Sequence, residues 1–284
     1  RRQEMLRYEE IERLVQEFVR LGVTRIRITG GEPLVRRGVV DLIGALSRIE
    51  GIEDLSLTTN GTLLDQYARP LKESGLGRVN ISLDSFDSER FRRISRGGYL
   101  GQILRGIHAA LEADLQPVKL NVVVIRGVND DELPAFIDYS RTHPVWVRFI
   151  EFMPMGEGNL WAPQKFVSSK EVKEKVGRFC ALTPLEGQTG NGPAAYYQVE
   201  GGSGRVGFIS SLTEHTCLRC NRLRLTCEGR LRSCLLQDQE IDLRAALREE
   251  NPEDELGRRI EAAVKTKPLG HSLDLLNRPC SRGN

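Results

Sequence analysis

The chain contains 284 residues, of which 39% are hydrophobic and 28% are charged, a balance typical of a globular protein with a sizeable core. Its 41 basic and 39 acidic residues leave a net charge of +2, and no block of like charge indicates a nucleic-acid-binding arm. No apolar run approaches the roughly 18–20 residues of a membrane span. Six cysteines are too few for a disulfide scaffold, and three of them are clustered. This usage indicates metal binding in a reducing compartment, so we expect a cytoplasmic location.

Helices and strands alternate from residue 8 to about residue 155. The spacing of Ile11, Leu14 and Phe18 predicts a first helix that Gly22 ends. The elements predicted after it are a strand at 23–29, a helix at 38–49, a strand at 54–60, a helix at 62–74, a strand at 78–84, a helix through 103–111, a strand at 117–125, a helix near 131–141 and a strand at 145–152. Such alternation is typical of a parallel sheet with right-handed crossovers. The periodicity fits an open doubly wound sheet as well as an open or closed barrel.

Short polar or glycine-bearing segments follow four of the five predicted strands. They lie at 29–33, 58–61, 82–85 and 151–154. Each one alone is consistent with a simple turn. Because the carboxyl ends of parallel strands meet on one rim, the four together predict a ligand site there.

The pattern changes after residue 156. A helix is predicted around 168–178, a strand at 205–210 and charged helices within 241–265. We therefore divide the chain into a partial barrel at 1–156 and a C-terminal region at 157–284.

The sharpest local feature is a cysteine cluster. Cys217 and Cys220 form a Cys-x-x-Cys pair, and Cys234 follows thirteen residues later. Residues 221–226 and 230–235 read as the two strands of a hairpin. A three-residue loop with a left-handed Gly229 would set residue 234 opposite residue 222, on the face that carries Arg222 and Arg224.

Three thiolates can hold more than one kind of metal centre. A [4Fe–4S] cluster bound by three cysteines keeps one open iron, whereas His215 could complete a Cys₃His zinc site. Unliganded thiols are the third possibility. The arginine pair favours the iron–sulfur interpretation, since paired guanidinium groups suit a polyphosphate or a nucleobase edge. Three other cysteines are not expected to be ligands: Cys180, Cys227 and Cys280.

Several longer motifs resemble one known family, the GTP 3′,8-cyclases, which are radical S-adenosylmethionine (SAM) enzymes of molybdenum cofactor biosynthesis. The resemblance runs from about residue 8 to residue 271. The motifs, in their order along the chain, are IRITGGEPLVRR (26–37), LTTNG (57–61), NISLDS (80–85), VKLNVVVIRGVND (118–130), VRFIEFMPMG (147–156) and EHTCLRCNRLRLTCEGRLRSCL (214–235). The last motif is the most specific, because it belongs to the second cluster of this family.

The resemblance implies an α/β fold, an incomplete (βα)₆ TIM-like barrel with a C-terminal cluster-binding extension. It also implies two [4Fe–4S] clusters in the full-length protein, of which this chain ligates one. SAM would be cleaved to a 5′-deoxyadenosyl radical that takes the 3′ hydrogen of GTP, and the ribose carbon would then attack C8 of guanine. The product, 3′,8-cyclo-7,8-dihydro-GTP, would pass to cyclic pyranopterin monophosphate synthase. The resemblance also allows a homodimer, although the sequence does not fix the oligomeric state.

The resemblance assigns roles position by position. The residues that match SAM contacts are Gly31, Ser82 and Met153. Those that match the GTP site are Arg27, Thr58, Lys119, Arg222 and Arg224, with Arg222 and Arg224 also expected to be needed for catalysis. The ligands of the second cluster are Cys217, Cys220 and Cys234. A lysine inside an apolar strand, as Lys119 is, otherwise has little reason to be there.

Two features depart from the family pattern. The Cys-x₃-Cys-x₂-Cys loop that binds the first cluster would precede residue 1. The family's C-terminal Gly-Gly pair is also absent, since the chain ends NRPCSRGN (277–284). We therefore expect the full-length protein to be the cyclase and this chain alone not to cleave SAM.

Two other functions are consistent with the sequence. One is a different radical SAM enzyme with an auxiliary cluster, which acts on a peptide or on another nucleotide. The other is a non-catalytic binding module stabilised by zinc.

Overall fold

A computed structural model describes residues 5–154, 162–185, 192–214, 220–237, 239–249 and 251–268 of the chain. Within these ranges the helices are α1 (Tyr8–Arg20), α2 (Val39–Ser47), α3 (Leu64–Glu73), α4 (Ser88–Ile94), α5 (Leu100–Glu112), α6 (Leu133–Thr142), α7 (Ser169–Gly177), α8 (Leu243–Ala246) and α9 (Pro252–Lys265). The strands are β1 (Arg25–Ile28), β2 (Asp54–Thr59), β3 (Arg78–Ser82), β4 (Val118–Val124), β5 (Val145–Glu151), β6 (Leu182–Pro184), β7 (Ala195–Val199), β8 (Arg205–Ile209), β9 (Arg224–Leu225), β10 (Arg230–Arg232) and β11 (Ile241–Asp242). No helix in these ranges is long and apolar enough to cross a membrane.

The first helix shows how local sequence sets an element. Glu10 accepts a hydrogen bond from the backbone N–H of Arg7 at 2.7 Å, which satisfies a free donor at the start of α1. Leu14 and Phe18 form its buried stripe. Gly22 then adopts a φ of 90°, a left-handed conformation that ends helices at little cost for glycine.

The main sheet has eight strands in the order β1-β2-β3-β4-β5-β8-β7-β6. Strands β1 to β5 and β8 are parallel, whereas β7 and β6 are antiparallel to their neighbours. A doubly wound sheet reverses its strand order at a switch point, but here β1 to β5 follow one another without reversal. The fold is therefore an incomplete TIM-like barrel, and strands on both sides of residue 156 belong to one sheet.

Several stretches differ from the sequence predictions, among them strands β6 and β7, which were not predicted. Helix α4 was not predicted, because it is short and buries one large apolar residue, Phe91. Its start is set instead by Asp87, whose side chain accepts a hydrogen bond from the N–H of Arg90 at 2.7 Å. The region predicted as charged helices within 241–265 begins with strand β11, since Ile241 pairs with Leu231 of β10. A two-residue strand is too short to show a period of its own.

The alternation of apolar and polar residues along the strands gives the main sheet one apolar face and one polar face. Val118, Leu120 and Val122 of β4 pack into the main core together with apolar residues of α2, α3, α5 and α6. The opposite face, called the inner face below, carries polar and charged side chains of the alternate positions. A second, smaller core joins α1, α8, α9 and β10, and it includes Leu231 and Ile260.

Candidate functional site

Three rows of paired residues cross the inner face. The first row joins Arg27, Ser56 and Arg78 on β1 to β3. The second row runs through Thr58, Asn80, Lys119, Trp146 and Arg205. The third row runs through Ser82, Asn121, Arg148, Gly207 and Tyr196. The register of the sheet thus places five cations on one surface, and the four other than Arg205 act on one another electrostatically. This cation cluster consists of Arg27, Arg78, Lys119 and Arg148.

Arg148 is the most deeply buried arginine of this cluster, with 7% of its surface exposed. One of its guanidinium nitrogens, Nη2, donates a hydrogen bond to Asn80 Oδ1 at 2.7 Å. Asn80 in turn donates to Thr58 Oγ1 at 3.2 Å. Burial lowers the pKa of Arg148, while the Tyr196 hydroxyl acts in the opposite direction. Thr58 is therefore linked through Asn80 to a buried cation.

Lys119 is also buried, with 9% of its surface exposed. Its Nζ lies 4.5 Å from the ring centroid of Trp146 and 5.3 Å from that of Tyr196. Burial, followed by the charges of the neighbouring cations, above all Arg148, lowers the pKa of Lys119 to about 7, while Asp54 opposes them. A lysine in this position gains most from a ligand that brings negative charge.

Arg27 is exposed by its surface area, yet other cations of the inner face lie near its guanidinium. Burial and the charges of Arg148 and Arg78 lower its pKa to about 10. Its Nε lies 3.5 Å from Ser56 Oγ. The nearby Arg78 is paired with Asp54 through contacts of 2.9 and 2.5 Å.

Three polar atoms of the inner face are buried without a hydrogen-bond partner in the part of the chain that the structure describes. They are Arg78 Nη1, Arg148 Nε and Asn121 Oδ1. Buried polar groups are normally paired, and an orphaned one calls for an explanation. Two of these atoms are guanidinium donors within the cation cluster, so an anion with several acceptor oxygens would satisfy them.

The predicted rim lies at the carboxyl ends of the parallel strands. Gly31 and Ser82 are exposed there, Met153 is half-buried, and a Cβ atom at Gly31 would meet nothing within 4 Å. Glu32 joins two strand ends, since it accepts hydrogen bonds from Thr59 Oγ1 at 2.7 Å and from the N–H of Asn60 at 2.6 Å. The backbone around Gly31 is thereby open toward the space above the sheet.

The C-terminal hairpin has the register expected from its sequence. Leu231 pairs with Leu225 and Arg232 with Arg224, across a loop at 227–229 that ends in a left-handed Gly229 with φ 84°. The same register sets residue 234 opposite residue 222. The paired strands are shorter than predicted, because regular pairing covers only β9 and β10. Cys217 and His215, like Cys280, lie outside the described residues.

Two of the predicted cluster ligands lie near the arginine pair. Arg222 Nε lies 3.4 Å from Cys220 Sγ, and the N–H of Leu236 donates to Cys234 Sγ at 3.4 Å. Burial lowers the pKa of Arg224, and the thiols of Cys220 and Cys234 both act against that shift.

The pKa of the Cys220 thiol shows that its surroundings favour a thiolate. Burial raises this pKa, but the N–H and guanidinium of Arg222 and the ammonium of Lys267 outweigh burial, so the pKa is lowered overall. N–H donors to cysteine sulfur are typical of iron–sulfur sites, where they tune the reduction potential. The described part of the hairpin therefore fits an iron–sulfur cluster. Cys227 is exposed in the turn, and Cys180 is buried away from the hairpin, as expected for cysteines that are not ligands.

The hairpin lies within electrostatic reach of the inner face. Arg222 is among the charges that lower the pKa of Arg27, which links the hairpin to β1. Lys267 holds the hairpin from the other side, since its Nζ donates to the backbone oxygens of Arg222 and Ser233, each at 2.6 Å. The structure thus brings together the predicted Arg27, Arg222 and Arg224.

Sequence analysis missed several members of this site. They are Arg78, Asn80, Trp146, Arg148 and Tyr196. A signal was present, because Asn80 and Arg148 occupy the inner-face positions of otherwise apolar strands, as Lys119 does. Tyr196 had no such signal, since its place beside Lys119 depends on the pairing of β7 with β8.

Two family models cover most of the chain. Residues 1–140 match the Radical SAM superfamily, and residues 145–273 match the family Molybdenum Cofactor Synthesis C.

Curated relatives extend the similarity. The chain is 47% identical to a GTP 3′,8-cyclase of Thermodesulfovibrio yellowstonii over 270 residues, which is 95% of this chain and 83% of the relative. It is 49% identical to a GTP 3′,8-cyclase of Heliobacterium modesticaldum over 271 residues, with the same coverage of both chains. Among solved structures, Streptococcus suis SuiB bound to S-adenosylmethionine aligns with a TM-score of 0.62 and 13% identity, over 92% of this chain and 61% of that one. That match supports the fold alone.

Proposed function

Because the chain belongs to the GTP 3′,8-cyclase family of radical SAM enzymes, we propose that it binds GTP between the cation cluster and the C-terminal hairpin and holds it for cyclisation. Enzymes of this family act in molybdenum cofactor biosynthesis and use 4Fe–4S clusters and SAM. The observation that carries the placement is the set of buried, unpartnered donors on Arg78 and Arg148 beside Lys119. The inner face offers charge without a ligand to balance it.

The triphosphate is assigned to the inner face. Lys119, Arg148 and Arg27 supply three cations, and Thr58 adds a hydroxyl that Asn80 links to Arg148. Phosphate oxygens would pair with Arg148 Nε and relieve the repulsion that lowers the pKa of Lys119. Binding energy released there would fix the ribose, whose 5′ oxygen is esterified to the α-phosphate, in its reactive orientation.

The guanine is assigned to the hairpin. Arg222 and Arg224 offer fork-shaped donors that suit the acceptor edge of guanine. Cys217, Cys220 and Cys234 would hold the [4Fe–4S] cluster of this region, which we take to be one of two in the full-length protein. With three thiolate ligands, such a cluster leaves one iron free to bind a substrate atom.

SAM is assigned to the rim of the barrel, with Gly31, Ser82 and Met153 as its contacts. When bound, the family's SAM and its cluster supply a 5′-deoxyadenosyl radical. The open backbone at Gly31 suits the amino and carboxylate groups of the methionine part. Gly31, Ser82 and Met153 would hold SAM at the rim, and the radical that it supplies would abstract the 3′ hydrogen of the ribose.

The product would be 3′,8-cyclo-7,8-dihydro-GTP, and its consumer would be cyclic pyranopterin monophosphate synthase. A homodimer is part of the same proposal. Neither the transfer of the product nor the homodimer rests on a contact in the described chain. Coupled turnover with that synthase tests the transfer, and sedimentation tests the homodimer.

The first experiment measures iron, sulfide and zinc in the protein purified without oxygen, followed by equilibrium binding of GTP, ATP and guanosine. We expect about four irons per chain for three thiolate ligands, with GTP bound more tightly than ATP or guanosine. Replacing Cys234 by alanine should remove the iron, whereas replacing the exposed Cys227 should not. One zinc without iron would contradict the proposal, and equal affinity for GTP and ATP would favour a different nucleotide substrate.

A further inference from the structure

Tyr196 lies between two cations that belong to adjacent strands. Its ring centroid is 5.3 Å from Lys119 Nζ, and its hydroxyl is near enough to the guanidinium of Arg148 to oppose the lowering of that group's pKa by burial. The pairing of β7 with β8 sets Tyr196 opposite Gly207, and Gly207 lies opposite Arg148. A single side chain therefore lies beside two members of the cation cluster.

Gly207 makes room for this arrangement. A Cβ atom at this position would lie 2.8 Å from Cε1 of Tyr196 and 3.4 Å from Cγ of Arg148. The first distance is shorter than side chains tolerate, so any other residue at 207 would displace the tyrosine ring. The glycine is needed here for close approach and not for an unusual backbone angle, since it lies inside regular strand β8.

Trp146 completes the support around Lys119. The centroid of its ring is 4.5 Å from Lys119 Nζ and 4.9 Å from the centroid of Tyr196, with the two rings inclined at 66°. Arg205 also contacts the Trp146 ring, with Cζ 4.5 Å from its centroid. Both rings thus stabilise cations through their electron-rich faces.

Aromatic neighbours leave the two cations able to bind an anion, whereas salt bridges would not. A carboxylate would hold Lys119 and Arg148 firmly, but its charge would repel a polyphosphate and occupy the donors that the ligand needs. An aromatic ring and a phenol hydroxyl hold the same cations without a formal negative charge. Arg78, by contrast, is paired with Asp54 and has two of its three nitrogens engaged.

We propose that Tyr196 is a positioning residue that sets Lys119 and Arg148 at the spacing required by a polyphosphate chain. This inference rests on the proposed placement of the GTP triphosphate on the inner face. Tyr196 acts through the two cations, so its effect should depend on the phosphate part of the ligand and not on the guanine part.

The test compares three variants of the iron-loaded full chain. Tyr196→Phe removes the hydroxyl that acts on Arg148 but keeps the ring beside Lys119, and Tyr196→Leu removes both. Tyr197→Phe is the matched control, because the neighbouring tyrosine forms a similar pair with Lys173, with Nζ to Oη 2.7 Å and Nζ to ring centroid 4.3 Å. That pair lies outside the cation cluster.

Each variant is titrated with inorganic tripolyphosphate, with GTP and with guanosine, and its thermal unfolding is recorded. We expect Tyr196→Phe to bind tripolyphosphate and GTP about tenfold more weakly, which corresponds to about 1.4 kcal/mol. Tyr196→Leu should lose more, guanosine binding should not change in either, and Tyr197→Phe should match the parent. Unchanged tripolyphosphate binding by a folded Tyr196→Leu would overturn the inference, and so would an equal loss for guanosine.

The same titrations separate this inference from the proposed function. If the parent binds tripolyphosphate but does not prefer GTP to guanosine, the proposed placement of GTP fails. The comparison of Tyr196 variants on tripolyphosphate still decides the positioning role in that case. If the parent does not bind tripolyphosphate at all, both are wrong.

Discussion

The inner face and the C-terminal hairpin present cations to the same space but hold them by different means. The cation cluster stands on four strands of a parallel sheet that has the main core behind it. Arg224 stands on a strand of two residues, and Arg222 lies just before that strand. The cation cluster is therefore set by sheet register, whereas the arginines of the hairpin depend on short strands and local bonds.

The two regions are joined by the carboxylate of Glu151. It accepts hydrogen bonds from the N–H of Ser169 at 2.9 Å, from the N–H of Leu212 at 2.7 Å, and from the N–H and hydroxyl of Thr213 at 3.0 and 2.5 Å. Thr213 lies close before the cysteine cluster in sequence. The end of β5 thus anchors the chain that leads into the hairpin.

The largest effect is expected from the hairpin arginines. Replacing Arg222 and Arg224 by alanine in the full-length enzyme should abolish cyclisation, because guanine is no longer held against the cluster, while SAM cleavage without product continues. Turnover and 5′-deoxyadenosine formation are measured together by chromatography.

The matched control for that variant is Arg230→Ala, which changes an exposed arginine of the same hairpin whose nearest acidic partner, Glu240, is 3.7 Å away. It should leave both reactions intact. Normal cyclisation by the double variant would show that the hairpin arginines do not hold the substrate, and the cation cluster would then carry recognition alone.

The second largest effect is expected at Glu151, whose carboxylate joins the two regions. Glu151→Gln places an amide –NH₂ among groups that all donate, so at least one donor loses its partner, at about 1–3 kcal/mol each. The free energy of unfolding from urea titration should fall by that amount. Glu174→Gln, which alters an exposed glutamate of α7, is the control and should leave the free energy unchanged. Equal stability of both variants would mean that Glu151 does not couple the regions.

The third effect concerns proton uptake at the inner face. The pKa of Lys119 in the empty site is lowered to about 7, first by burial and then by Arg148, Arg78 and Arg27. Phosphate oxygens favour the charged form, so binding raises this pKa. Above pH ~7 the lysine must therefore gain a proton when GTP binds, and affinity should fall by up to about tenfold per pH unit.

Calorimetry in two buffers of different ionisation enthalpy measures that uptake. The number of protons taken up should approach one at about pH 8 and should fall to zero in Lys119→Arg. Because GTP itself also titrates, the Lys119→Arg variant serves as the correction for that contribution. The same lowering of the Lys119 pKa also determines how the stability of the folded chain depends on pH. Between pH 7 and the usual lysine pKa the unfolded chain binds more protons, so this group's contribution to stability rises with pH in that window. An uptake of zero in the parent would show that Lys119 stays charged in the empty site.

The smallest effect is expected from Lys267, which connects both sides of the hairpin. Lys267→Ala should speed the loss of iron to a chelator several-fold and leave tripolyphosphate affinity unchanged, because the inner face does not depend on it. Lys265→Ala, which removes an exposed partner of Glu261, is the control. If both variants lose iron at the parent rate, the hairpin is held without this lysine.

Much of the fold could be predicted because the relevant signals are local. The alternation of helix and strand is visible as apolar spacing, and the hairpin register follows from one glycine and the length of its loop. Helix α4 and strand β11 escaped prediction, since one buried phenylalanine and a two-residue pairing are too short to show a period. The choice between a doubly wound sheet and a barrel also needed the observed strand order.

The site, like the fold, has some parts that the sequence predicts and others that it does not. The amino-acid sequence by itself determined which residues carry the family motifs: Arg27, Lys119, the arginine pair and the cysteines are each marked by their neighbours along the chain. Only the tertiary structure decided that Arg148, Asn80 and Tyr196 join them. The reason is that a cross-strand neighbour is set by sheet register, and strands that are adjacent in space can be distant in sequence. Tyr196 reaches Lys119 through the pairing of β5 with β8 and of β8 with β7.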